Sequence, residues 1–149
     1  HLRQLRELFV EYGESLDFHI CFEQFGQEIA DLPGAYAPPG GRLLLAWSEA
    51  EAAGCVALRR LENGVCEMKR LYVRPIFRGR GIGRQLVMAV LGEARGAGYE
   101  RIRLDTLPSF MKEAMTLYET LGFIRIAPHL HASPEPVIYM ELTLAAPGG

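Results

Sequence analysis

Long apolar runs are missing from this sequence. No stretch approaches the ~20 uninterrupted apolar residues that a membrane-spanning helix needs, so no such helix and no membrane partner are expected. Cysteine is scarce. Cys21, Cys55 and Cys66 are odd in number and scattered. They supply neither a disulfide framework nor a metal-ligand spacing, so a reducing cytoplasm is the expected setting and no metal site is expected. A secretory signal is absent from the start, which opens on His1 rather than Met, so a segment upstream of His1 is expected. A positive excess is lacking too: 16 Lys and Arg stand against 18 Asp and Glu, a net charge of −2. That balance argues against a nucleic-acid partner, whose footprint is normally basic. What is present is 149 residues, 49% of them hydrophobic, enough for one sizeable core. Residues 1–149 read as a single domain.

The near-neutral total conceals an asymmetry. Residues 1–67 carry five basic and eleven acidic side chains, net −6, whereas residues 68–149 carry eleven basic and seven acidic, net +4. Lys69, Arg70, Arg74, Arg78, Arg80 and Arg84 fall in one stretch that contains no acid. Such a concentration suggests a site for a compact polyanion, although any single one of these side chains reads equally as a solvated surface cation.

Periodicity divides the chain in two. Leu2, Leu5, Leu8 and Phe9 recur at helical spacing up to about Gly13, with Glu7, Glu11 and Glu14 on the opposite, solvated side. A second helix is predicted from Phe22 to Leu32, stopped by Pro33-Gly34, and Ala35 to Gly41 reads as a loop. Short apolar segments come next at Leu43–Trp47, Gly54–Leu61 and Val65–Val73. Asn63-Gly64 between the last two marks a hairpin. A long helix begins near Ile82 and ends at Gly96–Gly98; Arg101–Leu107 alternates as a strand, and Lys112–Leu121 is helical. Gly122-Phe123 opens another strand, and Val137–Leu144 is a last one. The fold class is therefore α+β, or mixed α/β: two helices, an antiparallel meander, then strand–helix–strand–helix–strand.

Between the third strand and the long helix lies Arg78-Gly79-Arg80-Gly81-Ile82-Gly83. A helix start offers unpaired N–H groups and the positive end of the dipole. Glycines admit unusual backbone angles and close ligand approach, and arginines add bidentate contacts to phosphate. A pyrophosphate-bearing ligand is one reading; a glycine-rich turn with surface arginines is the other. A dinucleotide fingerprint fails because its third glycine falls on Arg84, and a Walker loop fails for want of Gly-Lys-Ser/Thr.

Leu71-Tyr72-Val73-Arg74-Pro75 followed by Arg78, Gly81 and Gly83 resembles the acyl-CoA signature of the GNAT superfamily of N-acetyltransferases, Arg/Gln-x-x-Gly-x-Gly/Ala. Leu117-Tyr118-Glu119-Thr120-Leu121-Gly122-Phe123 resembles the family's second signature, in the usual order and separation. The resemblance covers residues 42–144 well and the helical start loosely. It implies a central, mostly antiparallel twisted sheet with flanking helices, in which the strand Glu67–Val73 splays from the parallel strand Arg101–Leu107. Family members usually have a strand before the first helix, and here the chain is expected to begin inside that helix.

The resemblance further implies acetyl-CoA as co-substrate. Its pantetheine arm would lie in the splay along Leu71, Tyr72 and Val73, pairing with the main chain of Leu71 and Val73, and its pyrophosphate against Arg78, Gly79, Arg80, Gly81, Ile82, Gly83 and Arg84. Tyr118 matches the tyrosine that often protonates the departing thiolate, and Glu67 a position where several members keep a general base. A strand N–H near Leu71 would steady the thioester oxygen. Many members carry Asn three residues before Ala114; here Met111 stands there, which removes that side-chain contact to the cofactor. Asp17, Glu23, Glu28, Asp31 and Tyr36, with the loop His129–Glu135, fall where the family shapes its acceptor pocket, an acidic surround suited to a cationic amine. His129-x-His131 and His19-x-Cys21 lack a second pair of ligands and read as loop residues. The implied function is direct acetyl transfer to a primary amine of a small molecule or peptide, with a homodimer left open. A non-catalytic acyl-CoA-binding or sensing module is the alternative. A nucleotide-binding regulator is a third reading.

Overall fold

A computed structural model of the chain describes residues 1–15, 22–106, 112–126 and 138–144. Expectations placed on Asp17, His19, Cys21, Leu107, Met111 and the loop from His129 to Glu135 lie outside these residues, as does the side chain of Glu23. The elements are α1 (Leu2–Ser15), α2 (Phe22–Ala30), β1 (Arg42–Ser48), β2 (Glu51–Glu62), β3 (Val65–Val73), α3 (Ile82–Gly96), β4 (Arg101–Thr106), α4 (Lys112–Thr120), β5 (Ile124–Ile126) and β6 (Ile138–Thr143). Helix α1 runs past Gly13, its expected end. The ~1 kcal/mol that glycine costs inside a helix is offset by the packing of Leu5, Leu8 and Phe9 in the core.

Among the described residues six strands form one sheet in the order β1-β2-β3-β4-β6-β5, antiparallel except for β3 against β4. Alternation along the strands splits the core in two. On one face Val56, Leu58, Cys66, Met68, Ile102, Leu104 and Met140 pack against Leu86, Val87, Val90, Leu91 and Ala94 of α3 and Tyr118 of α4. On the other, Ala52, Cys55, Ala57 and Tyr72 pack under Leu5, Leu8 and Phe9 of α1, together with Leu32 and Tyr36. β2 lies between both layers, and its residues Ala52–Leu58 are buried without alternation.

Two irregularities in the β2–β3 hairpin set which side chains face each other across it. Glu62 pairs with Val65 and Arg60 with Cys66, so Leu61 is an extra residue in β2 that moves Arg59 opposite Glu67. Further along, Ala57 pairs with Lys69 but Cys55 with Tyr72, so Arg70 and Leu71 together oppose Val56. Arg70 there takes a left-handed φ of 61°. This second bulge restores the register that the first displaced. It also sends two consecutive side chains, Lys69 and Arg70, to the α1/α2 face.

Candidate active site

β3 and β4 pair only through Val65–Arg101, Cys66–Ile102 and Glu67–Arg103. Past Glu67 the strands part: β4 stays paired with β6 as far as Thr106–Ile138, while β3 bends at its bulge. The result is a wedge-shaped gap whose apex is Glu67. It is bridged on the α1/α2 face by Lys69 Nζ and Asp105 Oδ1 at 3.8 Å.

At the outer end of β3 a 3-10 turn, Pro75–Phe77, leads into the glycine loop. Gly79 and Gly81 have φ of 81° and 78°, and Gly81 is the residue before α3. The turn closes with Arg78 N–H on the Pro75 carbonyl, and the next bonded N–H is that of Gln85, on Gly81. The six N–H groups from Gly79 to Arg84 therefore donate to no acceptor among the described residues. A Cβ built on Gly79 or Gly81 would meet nothing within 4 Å. The loop is a row of unspent donors at a helix start, the arrangement that attracts phosphate oxygens.

The basic stretch does not act as one set, which corrects the expectation of a single polyanion site. Arg74 grips Glu11 of α1 (Nη2–Oε2 2.8 Å, Nε–Oε1 3.1 Å), lies 3.7 Å from Glu7, and donates to the Ala52 carbonyl. Arg70 binds both carboxylate oxygens of Glu28, at 2.8 and 3.0 Å. Lys69 faces Asp105. Glu7 and Glu11 are thus partners that tie α1 to the sheet rather than a purely solvated face. Arg78, Arg80 and Arg84 form no ion pair among the described residues; Arg78 Nε donates to the Val73 carbonyl at 2.9 Å, and its guanidinium lies 5.7 Å from the centre of the Tyr72 ring. The Tyr72 side chain points into the α1 layer, with its hydroxyl 3.3 Å from Glu11. Glu11→Gln is expected to lower the unfolding free energy by about 1 kcal/mol in urea denaturation while leaving CoA affinity unchanged. A loss of affinity without a loss of stability would return Arg74 to the phosphate site.

Glu67 is fully buried, at 0% exposure. Its Oε1 accepts from Arg59 Nε at 2.9 Å and lies 2.8 Å from Arg59 Nη2, whereas Oε2 has no partner among the described residues. Periodicity on a two-residue hairpin turn would have placed Arg60 opposite Glu67. The extra residue Leu61 made the partner Arg59, and sequence reasoning missed it. Tyr118, 3% exposed, sits in the α3/α4 layer with its ring 5.7 Å from that of Phe123. Burial pushes its phenol well above the usual value near 10, and the neighbouring Tyr12 and Asp105 push it the same way.

Beside the gap, on the α1/α2 face, is a cleft of about 350 Å³ lined by Gln27, Glu28, Asp31, Pro33–Tyr36 and Arg59. Of the acidic surround expected here, Glu28 is paired with Arg70, whereas Asp31 accepts from the neutral Gln27 at 2.9 Å and keeps its charge. Among the described residues no group of three or more His, Cys, Asp or Glu is placed to hold a metal, and no helix is long and apolar enough to cross a membrane.

This combination of a splayed parallel pair, a glycine loop at a helix start and a mostly antiparallel sheet defines a class. Residues 2–123 match the model of the acetyltransferase (GNAT) family. An uncharacterised N-acetyltransferase of Schizosaccharomyces pombe is 36% identical over 97% of this chain and 89% of its own length. A GNAT-family acetyltransferase from Staphylococcus aureus Mu50 superposes with a TM-score of 0.80 at 21% identity, over 96% of this chain and 95% of that one. A Bacillus subtilis acetyltransferase solved in complex with CoA shares the fold with a TM-score of 0.61 at 23% identity, over 70% of this chain and 78% of its own. The chain belongs to the acetyltransferase (GNAT) family and is an acyltransferase.

Proposed function

We propose that the protein transfers an acetyl group from acetyl-CoA directly to a primary amine, with Glu67 as general base and Tyr118 as general acid. The observation that carries the reading is a juxtaposition. The unpaired edge of β3 runs from a row of unspent N–H donors at Gly79–Arg84 to a buried carboxylate with one unpartnered oxygen.

The residues fit the co-substrate chemically. The N–H groups of Gly79 to Arg84 would take the pyrophosphate oxygens, with Arg78, Arg80 and Arg84 supplying the countercharge. The pantetheine arm would enter the wedge as an added strand beside Leu71, Tyr72 and Val73, using the main chain of Leu71 and Val73; the Val73 carbonyl becomes available once Arg78 turns from it to phosphate. That arm brings the thioester toward the apex.

An amine is mostly protonated near neutral pH and cannot attack in that form. Glu67 Oε2 accepts the proton, directly or through one water, and Arg59 on the other oxygen holds the carboxylate in place. The nitrogen lone pair then attacks the thioester carbon, and a main-chain N–H near Leu71 steadies the oxygen as charge develops. The C–S bond breaks and the thiolate takes its proton from Tyr118; the surplus proton on the new amide nitrogen passes to water, and the phenolate regains a proton from the same solvent. The phenol is in its protonated form at neutral pH, so the proton is present when the thiolate departs.

Thiol release from acetyl-CoA in a screen of primary amines tests the reading; CoA binding with no turnover for any amine would leave a binding module instead. Tyr118→Phe is expected to lower kcat about 100-fold with CoA affinity and melting temperature nearly unchanged. An unaltered kcat would remove Tyr118 from the chemistry.

A further inference from the structure

Three polar groups around the cleft have bonding capacity that the described residues do not meet. Arg59 lines the cleft, its side chain one-third exposed at 34%, and spends Nε and Nη2 on the single oxygen Oε1 of Glu67. Its Nη1 has no partner among the described residues. Tyr36, also a lining residue, is 2% exposed; its hydroxyl lies near the Glu28 carboxylate but makes no hydrogen bond of good geometry among the described residues. The third is Glu67 Oε2, on the inner side of Arg59. A buried polar atom left unpaired is costly, so the Tyr36 hydroxyl in the lining and Glu67 Oε2 behind the half-used Arg59 guanidinium mark a place that a ligand completes.

The local charges decide which ligand. Glu28 is neutralised by Arg70, and Asp31, which keeps its charge, lies at the exposed rim and accepts from Gln27. What remains in the lining is a donor edge, Arg59 Nη1 with the Tyr36 hydroxyl, and buried behind Arg59, outside the lining itself, an acceptor, Glu67 Oε2. A simple amine would satisfy only the acceptor, and a simple carboxylate only the donors. A molecule carrying both groups a few bonds apart satisfies all three. The cleft's volume lies at the lower end of the ~300–1,000 Å³ usual for small-molecule sites, which suits a free amino acid.

Resting on the acetyl-transfer reading, we propose that the acceptor is a zwitterion, a free amino acid whose carboxylate is received by Arg59 Nη1 and the Tyr36 hydroxyl while its amine faces Glu67 Oε2. Arg59 then has two edges with separate duties: the inner one positions the base, and the outer one selects the substrate. Tyr36 is a specificity residue.

The test compares each of the twenty common L-amino acids with its own amide and its decarboxylated amine as acceptors, reading thiol release from acetyl-CoA. In parallel, calorimetry measures binding of the N-acetyl amino acids and of their amides to the CoA-loaded protein. The preferred amino acid is expected to exceed its amide about 10- to 100-fold in kcat/KM. Tyr36→Phe should shrink that preference to a few-fold through KM, with kcat nearly kept; Arg59→Lys should lose the preference and lower kcat as well. Amides or decarboxylated amines that react as well as every amino acid would overturn the proposal. So would a preference untouched by Tyr36→Phe. If no acceptor of any kind reacts, the acetyl-transfer reading fails on its own and the binding arm decides this one. N-acetyl amino acids held more tightly than their amides, in a manner dependent on Tyr36, support it; equal binding rejects it.

Discussion

Gly81→Val is expected to leave the fold standing and to weaken CoA binding about 100-fold in calorimetry. Gly81 has a φ of 78° immediately before α3, and a Cβ there would meet nothing within 4 Å of the protein. No clash opposes the substitution, so the cost to stability is the left-handed backbone alone, about 1–2 kcal/mol. The space the new side chain enters is the space over the unspent N–H groups, and relief of the backbone strain would turn those groups away from a common focus. Each charge-assisted hydrogen bond contributes about 1.5–3 kcal/mol, so the loss of two accounts for the two decades. Thermal unfolding separates the effects: a variant that melts a few degrees low but binds CoA normally would show that the loop is only a turn.

Glu67→Gln is expected to lower the rate of acetyl transfer at neutral pH by a factor of about 10²–10⁴, the usual contribution of a positioned base. The amide keeps an oxygen for Arg59 and nearly the same volume, so the packing of a fully buried residue survives. Glu67→Ala, by contrast, would strand the Arg59 guanidinium and open a void beside β4. The deficit of the Gln variant should narrow as pH rises toward the amine's own pKa, because an amine already free of its proton needs no base. A parallel pair of pH profiles, offset by a constant factor throughout, would instead assign Glu67 a structural role. Together with Tyr118→Phe, this variant separates proton removal from thiolate protonation, since CoA affinity should be unchanged in both.

Much of the framework was legible in the sequence because it is governed by local rules. Asn63-Gly64 set the hairpin, and β3 begins and ends at the expected residues, Val65 and Val73. The apolar stripe of α3 is the buried one, Leu86, Val87, Val90, Leu91 and Ala94. The glycine spacing located the loop before α3, and the two left-handed glycines fall inside it. Glu67 was singled out only through the family resemblance; its complete burial and its position at the end of the β3–β4 pairing came from the tertiary structure.

The sequence by itself determined the order of elements, the family and the position of the glycine loop before α3. Each depends on neighbours a few residues apart, through helix and strand periodicity, turn chemistry and glycine's freedom of φ. Only the tertiary structure decided which charges are spent. Arg70 meets Glu28 across 42 residues, Arg74 meets Glu11 across 63 and Lys69 lies 3.8 Å from Asp105, so three of the six cations in the basic stretch are paired, while Arg78, Arg80 and Arg84 form no ion pair among the described residues. It also decided that Arg59, rather than Arg60, holds Glu67. One extra residue in β2 shifts the register by one, and in a strand a one-residue shift carries a side chain to the opposite face.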